Sequence, residues 1–412
     1  MTLYRRADVS KVDTMTKRTA DVIIVGGGLQ GCSAALHLAD RGVEVIVLER
    51  DYVGRHASAA NAGGVRRVGR HLSELELSAA SAELWRDLSG LTGSDGGFRS
   101  VGHLFVAETD GELATLRERR NRVHEFGYSF EEMVSTEEVR EAVPGIARHV
   151  VGGIASWTDG YANPFATVRA FKERATALGA RIHCGVMVEG ASRVGDSWAL
   201  DTSDGIFTAA SIINCAGFGG ARIGAMFGDC CRLSIEAPMM MVTTPVPRYD
   251  GPVLGRVRGR LSLKSSTNGS LLVGGGHRAQ YNPQEQKVTV DLAGLSKSAR
   301  TLKELVPDLA LGRLQRAWYG LEAYTIDGLP ILGQSPTAKG VLHAFGFSGH
   351  GFQLGPIIGR VLSDLAIDGV TRFDISAFDL GRFKNPKPQG SIWCSLGSRM
   401  ATSESPNSLP IS

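Results

Sequence analysis

The chain has 412 residues, a length that exceeds one compact core and predicts two domains. Apolar residues make up 43% and charged residues 21%, as in ordinary soluble globular proteins. The net charge is only +3, from 45 basic and 42 acidic side chains, so no strongly basic surface is expected and nucleic acid is excluded as the expected partner.

The first twenty residues are charged and lack the apolar core of a secretory signal. No run of eighteen apolar residues occurs, so no membrane span is predicted. The six cysteines form no CxxC pair, which favours reduced cysteines in a cytoplasmic protein. The adjacent Cys230 and Cys231 have no partners at a metal-binding spacing, so no metal site is predicted.

Residues 21–50 read DVIIVGGGLQGCSAALHLADRGVEVIVLER and predict strand, turn, helix and strand. Gly26, Gly28 and Gly31 form G-x-G-x-x-G after the first buried strand. Gly26 allows the tight turn, Gly28 lets the backbone approach a pyrophosphate, and Gly31 lets helix and strand pack closely. The second strand ends at Glu49, whose carboxylate can accept hydrogen bonds from ribose hydroxyls and disfavours a 2′-phosphate. The unit therefore predicts NAD or FAD rather than NADP.

The next stretch, RDYVGRHASAANAGGVRRVGRH, is rich in small residues that could lie along an extended cofactor. A long helix is predicted from about residue 72 to 88. Ser135-x-x-Glu138 is a capping box that opens a short helix, and Pro164 begins another that ends at Gly179. Asp204-Gly205 and Asn268-Gly269 lie between apolar runs and predict two-residue β-hairpins.

With these elements in place, the chain resembles the FAD-dependent family that contains D-amino-acid oxidase, glycine oxidase and sarcosine oxidase, including its beta subunit. The resemblance rests on four motifs that together span most of the chain. They are DVIIVGGGLQG…VIVLER, the S-x-x-N-x-G segment of residues 58–63, IINCAGFGG of residues 212–220, and the pair WYGLEAYTIDGLPILG and GFSGHGFQLGPIIG of residues 318–333 and 346–359.

The resemblance implies an α/β fold with a Rossmann-like FAD-binding domain of the glutathione-reductase type and a second, mainly antiparallel β substrate domain. Motif order makes the FAD-binding domain discontinuous. It is expected to comprise residues 20–95, 151–232 and 327–382, and the substrate domain residues 96–150 and 233–326. Residues 1–19 and 383–412 are expected to be flexible tails.

The resemblance also implies bound FAD, and no matching cysteine or histidine suggests a covalent link, so noncovalent binding is expected. The positions that match the family's FAD contacts are Gly26, Gly28, Leu29, Gln30, Gly31, Glu49, Arg50, Ser58, Asn61, Ala62, Gly63, Val188, Ala216, Gly217, Gly320, Gly349, His350, Gly351, Phe352 and Gln353.

The stretch GFSGHGFQLGP places four glycines around His350, before a helix that starts near Phe352 or Pro356. Backbone N–H groups of Gly349 and Gly351 and the helix N-terminus can stabilise negative charge on reduced flavin. The resemblance places His350 near the flavin ring as a residue that sets its environment; the alternatives are a structural histidine bonded to backbone and, third, a general base.

Substrate recognition departs from that of the relatives. Residues 318–323 align with a pattern of glycine oxidase and D-amino-acid oxidase, W-x-G-x-R-P. The arginine of that pattern binds the substrate carboxylate in those enzymes. Here that position is Glu322, which repels a carboxylate and can pair with a cationic amine. The sarcosine-oxidase type has a lysine after GHGF, where this chain has the neutral Gln353.

Arg67 is the candidate to replace these carboxylate anchors, because the sarcosine-oxidase type carries a carboxylate-binding arginine in the corresponding segment. Arg66 or Arg70 could serve equally. Lys264 matches weakly a lysine that lies above the flavin in sarcosine oxidase and promotes reaction with oxygen.

The resemblance thus implies an enzyme that oxidises the C–N bond of a secondary amine or N-substituted amino acid, sarcosine-, opine- or proline-like. Hydride passes to flavin N5 and the imine hydrolyses. Electrons pass to O2 or to a partner subunit, so a hetero-oligomer is possible. Two alternatives stay open, a 2-hydroxy-acid oxidase or dehydrogenase and a flavin subunit with little activity alone.

Overall fold

The computed structural model describes residues 18–247, 249–259 and 261–383, so the predicted flexible tails lie almost wholly outside the described residues. The strands of the described chain are, in order, β1 Thr19–Val25, β2 Val45–Glu49, β3 Gly64–Val65, β4 His103–Ala107, β5 Glu132–Val134, β6 Gly152–Ser156, β7 Gly160–Tyr161, β8 Arg181–Cys184, β9 Val188–Val194, β10 Ser197–Thr202, β11 Gly205–Asn214, β12 Ser234–Pro245, β13 Val253–Arg256, β14 Ser262–Ser265, β15 Ser270–Asn282, β16 Lys287–Thr289, β17 Leu314–Tyr319, β18 Glu322–Tyr324, β19 Ile331–Gln334 and β20 Val341–Phe345.

The α-helices of the same residues are α1 Leu29–Asp40, α2 Ala57–Ala60, α3 Leu75–Arg86, α4 Leu88–Thr92, α5 Asp110–Glu125, α6 Thr136–Ala142, α7 Pro164–Ala177, α8 Gly220–Ala225, α9 Leu292–Leu305 and α10 Gly351–Ile367. As predicted, the capping box of Ser135 and Glu138 opens α6, and Pro164 lies in the first turn of α7. The side chain of Asn163 caps α7. Within the described residues, no helix combines the length and apolarity needed to cross a bilayer.

The first sheet has the strand order β19-β20-β11-β1-β2-β8, with β10 and β9 added beside β11. The pairs from β20 to β8 are parallel, and β20 and β2 are buried along their whole length, whereas β8 at the end of this order is half-buried to exposed. Ile24 and Val47 face the layer that contains α1, α7 and α10. Ile23 and Ile46 face the opposite side, where they pack with Trp198 and other residues of β9 to β11. Continuous apolar runs therefore form the centre of a Rossmann-like layer.

The second sheet has the order β17-β12-β15-β14-β13-β4-β6-β5, with β16 paired to β15 and β18 to β12. Its pairings are antiparallel except that of β4 with β13. Helix α9 packs against β15, and Leu295 and Leu302 enter the apolar core of this sheet. The predicted fold class, a Rossmann-like domain with a mainly antiparallel second domain, is confirmed.

The expected domain bounds stay a prediction, but one strand lies differently from expectation. Strand β6 falls in the segment 151–232 that we assign to the FAD-binding domain, yet it pairs with β4 and β5 of the second sheet. All five of its residues, GGIAS, are buried. A short strand that is buried on both faces carries no alternating pattern, so its sequence does not indicate which sheet it joins.

Candidate active site

A cleft that is partly open to solvent lies between the two sheets, and its space together with the adjoining solvent amounts to about 2270 Å³. One wall consists of the ends of β1, β2, β11 and β20 and the residues that follow them, which is where open α/β sheets bind ligands. The other wall includes His103 and Phe105 of β4, Met240 of β12 and Glu322 of β18. The cleft therefore brings the predicted dinucleotide turn to the same space as side chains of the second sheet.

The dinucleotide turn has the geometry that its glycines predict. Gly26 has a φ of +110°, and a Cβ there would lie 2.4 Å from the Cys215 carbonyl oxygen. A Cβ on Gly31 would lie 2.0 Å from the Gly26 carbonyl oxygen. Helix α1 then begins at Leu29 with its N-terminus at the cleft. The turn thus offers backbone N–H groups and the positive end of a helix to a pyrophosphate.

Glu49 and Arg50 lie at the end of β2 and line the cleft. The two carboxylate oxygens of Glu49 accept the backbone N–H groups of Gly27 at 2.7 Å and Asp51 at 2.9 Å. These bonds fix the carboxylate in place, and each oxygen retains a lone pair for a ribose hydroxyl. The Arg50 guanidinium lies 4.5 Å from the Phe218 ring.

The segment after Glu49 packs against the dinucleotide turn, and many of its polar side chains form hydrogen bonds with nearby backbone groups. Ser58 Oγ accepts the Leu29 N–H at 2.9 Å. Asn61 donates to the Ala57 and Ser58 carbonyls and accepts the Gly63 N–H at 2.6 Å. Ser58, Asn61 and Ala62 line the cleft as expected, but the Asn61 side chain mainly holds its own loop.

Other predicted cofactor positions divide into two groups. Those that line the cleft are Gly28, Gln30, Val188, Ala216, Gly217, Gly349, His350, Gly351 and Phe352. Gly63, Gly320 and the Gln353 side chain lie behind the cleft wall formed by the described residues. Gly63 accepts the Ala162 N–H at 2.9 Å, and Gly320 lies beside Ala60 of α2. The two glycines therefore pack the wall and do not form its surface.

The structure corrects the prediction that the Gln353 side chain lies at the active site. The side chain is fully buried and points to α3, where its amide donates to the Ser78 carbonyl at 2.9 Å and accepts from Ser78 Oγ at 3.1 Å. Helix α10 begins at Gly351 with Pro356 inside it, so Gln353 lies in the first turn and only its backbone N–H can face the cleft. This side chain joins two helices and does not line the cleft.

His350 lines the cleft directly before α10, and its partner is a carboxylate rather than backbone. Its Nδ1 lies 3.3 Å from Oε2 of Glu74, which is fully buried. Burial and the charge of Arg70 lower the pKa of His350, although Glu74 acts in the opposite direction. Burial would raise the pKa of Glu74, but His350, Arg70 and His71 bring it to about 2, so this carboxylate is ionised.

The structure also corrects the prediction that Arg67 binds the substrate carboxylate, because its side chain points away from the cleft. Its Nε lies 2.9 Å from Asp159 Oδ1, and its Nη2 donates to Ser156 Oγ at 3.2 Å and to Thr158 Oγ1. With its guanidinium buried and bonded in this way, Arg67 has no surface left for a substrate carboxylate.

The flanking arginines, Arg66 and Arg70, are the ones that line the cleft. Arg70 is 2% exposed, and among the described residues none accepts a hydrogen bond from its Nη1. Burial lowers the pKa of both guanidinium groups, because a cation that is removed from water loses its hydration. His103 lies at the same end, and burial, with repulsion from Arg66 and Arg70, holds its pKa well below the usual range. This end of the cleft is suited to an anion.

Lys264 lies behind the cleft wall. A Cβ on Gly63 would lie 2.9 Å from its Nζ, which is also 4.4 Å from the Tyr161 ring centre. Burial lowers the pKa of Lys264 to about 7. Its role in oxygen reactivity stays a prediction.

Lys264→Met is expected to raise the melting temperature more at about pH 6 than at about pH 10. The unfolded lysine titrates at 10.5 and the folded one at about 7, so the folded chain binds fewer protons between these values. Stability therefore rises with pH across this window, and below it the buried charge costs on the order of 3–5 kcal/mol. Thermal unfolding at both pH values checks this, with the exposed Lys287→Met as control; equal shifts would contradict it.

Glu322 faces the cleft, as predicted. Its Oε2 accepts a hydrogen bond from Tyr324 Oη at 2.9 Å, and both side chains line the cleft beside Gly349. Glu322 lies opposite Glu236 in the pairing of β18 with β12, and Glu236 forms an ion pair with Arg278. The glycine-rich loop therefore borders an acidic group at one point, while the arginines lie at another part of the cleft.

Sequence reasoning missed Glu74, Asp159 and Tyr324. Glu74 ends the 3-10 turn Leu72–Glu74 directly before α3, where an acid is usually solvated, so no local pattern marks it as buried. Asp159 stands in a turn, where an acid is usually solvated, so nothing local marks it as buried. Tyr324 lies two residues after Glu322, and the two share a face because side chains alternate along a strand.

The turn, the helix N-terminus and the cleft fit FAD, and comparison with known proteins agrees. A family model described as FAD dependent oxidoreductase (DAO) matches residues 21–365. Glycine oxidase of Geobacillus kaustophilus is 27% identical over 370 residues, 88% of this chain and 97% of that protein. An opine oxidase subunit of Rhizobium meliloti is 28% identical over 385 residues, again 88% and 97%.

Among solved structures, L-proline dehydrogenase from P. horikoshii superposes with a TM-score of 0.83 and 26% identity, covering 90% of this chain and 99% of that one. The expected cofactor, FAD, and the expected enzyme class are confirmed, while noncovalent attachment stays a prediction. The chain belongs to the DAO family of FAD-dependent oxidoreductases.

Proposed function

We propose that the enzyme oxidises the C–N bond of a secondary amine or N-substituted amino acid that carries a carboxylate. Bound FAD supplies the acceptor for the hydride. The observation that carries this proposal is the Arg70 guanidinium, which is buried at the cleft with an Nη1 that no described residue binds. A buried guanidinium N–H without an acceptor is costly even when a carboxylate lies nearby, and a substrate carboxylate would supply that acceptor.

The anion site would consist of Arg70 with Arg66, beside a neutral His103. Guanidinium groups bind carboxylates with two parallel hydrogen bonds, which fixes orientation as well as affinity. This pair would replace the anchors that the chain lacks at Glu322 and Gln353, and it would hold the substrate by its carboxylate end.

The amine end would be held by Glu322 and Tyr324. A carboxylate within the cleft attracts a protonated amine or accepts its N–H, and Tyr324 orients the carboxylate through its 2.9 Å hydrogen bond. Met240 adds an apolar wall for the substituent on nitrogen. The N-terminus of α10, with the N–H groups of Gly351 and Phe352, stabilises the negative charge that hydride transfer creates.

The names of the relatives support a C–N substrate. Two of them are a glycine oxidase and a subunit of an opine oxidase, and a structural neighbour is a proline dehydrogenase. The opine oxidase relative also supports a second candidate, a flavin subunit that passes electrons to a partner. In the alternative function, a 2-hydroxy acid would bind through the same carboxylate anchor. It differs from the amino-acid substrate in having a hydroxyl group in place of the amine.

The test is a panel of N-alkyl amino acids, opines and 2-hydroxy acids mixed with the purified enzyme without oxygen. We expect N-substituted amino acids to bleach the flavin absorbance and 2-hydroxy acids to leave it unchanged. Bleaching only by 2-hydroxy acids would overturn the proposal. Fast reduction followed by slow reoxidation in air would favour the partner subunit as electron acceptor.

Glu322→Gln is expected to lower kcat/KM for a secondary amine substrate about tenfold, because the amide keeps the Tyr324 hydrogen bond but not the charge. Stopped-flow reduction of the flavin measures this. Glu304→Gln, an exposed acid on α9, is the control. An unchanged kcat/KM for Glu322→Gln would place the amine elsewhere.

A further inference from the structure

Residues 66–70, the arginine loop, are held by two buried carboxylates. Asp159 Oδ2 accepts the backbone N–H groups of Arg67 at 2.6 Å and Val68 at 3.0 Å. Glu131 Oε1 accepts the next one, from Gly69, at 2.9 Å. Asp159 is 2% exposed and Glu131 fully buried. Three successive backbone N–H groups are therefore bound by side-chain carboxylates from distant parts of the chain.

Each of these two loop carboxylates has its own arginine. Arg67 Nε lies 2.9 Å from Asp159 Oδ1, and Arg119 Nη2 lies 2.7 Å from Glu131 Oε1. Both arginines are buried. Because breaking one side of a buried ion pair leaves an uncompensated charge, the two pairs resist any change in loop position.

Arg66 and Arg70 flank residues 67–69, whose backbone N–H groups the carboxylates bind. The directions in which their guanidinium groups point depend on the backbone of these residues. Arg66 Nη1 donates to the Val68 carbonyl at 2.6 Å, and Arg70 Nε donates to the Arg66 carbonyl at 3.0 Å. Both guanidinium groups line the cleft. The backbone that orients them is the same backbone that Asp159 and Glu131 hold.

We propose that Asp159 and Glu131 are positioning residues for the anion site of the cleft. They do not line it, and they act by holding residues 67–69 so that Arg66 and Arg70 converge on a substrate carboxylate. This explains why the loop contains an arginine, Arg67, that never reaches the cleft: it neutralises a carboxylate that the loop needs. The inference rests on the proposed function, in which these arginines bind the carboxylate.

The test compares acetate with acetamide, two probes of the same shape that differ in charge, bound to the FAD-loaded enzyme and followed by flavin absorbance. For Asp159→Asn we expect the Kd of acetate to rise about tenfold and that of acetamide to change less than about twofold. The asparagine keeps the volume but cannot neutralise Arg67. Glu131→Gln is expected to act in the same direction and replaces Asp159→Asn if that variant does not fold.

A second measurement separates positioning from general damage. In an Arg70→Met background, Asp159→Asn should weaken acetate binding by clearly less than the roughly tenfold expected in the wild type, because only Arg66 is left to be positioned. An equal loss in both backgrounds would overturn the inference. Asp229→Asn is the matched control, since Asp229 is another buried carboxylate, 2.8 Å from His343 and outside the cleft lining.

The two proposals fail differently. A wild-type enzyme that does not prefer acetate to acetamide would overturn the proposed anion site itself. A wild-type enzyme that prefers acetate, with Asp159→Asn and Glu131→Gln indistinguishable from it, would overturn only the role of the loop carboxylates.

Discussion

Gly31→Ala is expected to yield a protein that purifies without flavin. The added methyl would lie 2.0 Å from the Gly26 carbonyl oxygen, a distance that no relaxed structure accepts. Helix α1 must then move away from β1, and its N-terminus leaves the position at which it faces the pyrophosphate. We expect FAD affinity to fall by at least about a hundredfold, roughly 3 kcal/mol, with a lower melting temperature as well.

The ratio of flavin to protein absorbance measures this result. Gly111→Ala is the control, because Gly111 lies on α5 and its nearest atom to an added Cβ is Thr109 Oγ1 at 4.0 Å. It should retain full flavin content. A Gly31→Ala protein with wild-type flavin content would contradict the assignment of the turn to the pyrophosphate.

Arg70→Met is expected to abolish the preference for carboxylate substrates. Losing a buried charged partner costs about 2–4 kcal/mol of binding, or roughly 30- to 1000-fold in kcat/KM. The unfolding free energy should fall as well, because methionine removes a cation that helps keep the buried Glu74 ionised and a hydrogen bond to the Arg66 carbonyl.

Steady-state kinetics with the best substrate and its methyl ester measure the effect. The ester, which has no charge to lose, should react with both proteins at rates within about threefold. Arg86→Met, an exposed arginine of α3, is the control. Equal losses for acid and ester would show that Arg70 supports the fold of the site and does not bind the carboxylate.

The dinucleotide unit could be predicted in full because its information is local. Strand β1, the turn and α1 are contiguous, and the glycines act on neighbours within a few residues of themselves. The hairpin between β10 and β11 was predictable for the same reason, but its two-residue turn is Ser203-Asp204, one residue earlier than predicted, because Thr202 pairs with Gly205. The cofactor and the family follow from such local motifs.

Side-chain direction in the arginine loop was not predictable. Arg66, Arg67 and Arg70 are chemically alike, and an irregular loop has no period that assigns them to faces. Which one reaches the cleft is decided by Asp159 and Glu131, 92 and 62 residues further along the chain from the N–H groups they bind. The prediction that the Gln353 side chain lies at the active site was wrong for a similar reason. Its amide donates a hydrogen bond to the carbonyl of Ser78 in α3, 275 residues away in sequence.

The amino-acid sequence by itself therefore determined the FAD-binding turn, because backbone conformation and strand or helix periodicity depend on residues near in sequence. The fold class and the place of Glu322 at the cleft followed from the resemblance of its motifs to the family. Only the tertiary structure decided which charges face the substrate. A buried ion turns toward whichever opposite charge the fold brings within reach, and that charge can lie anywhere in the chain.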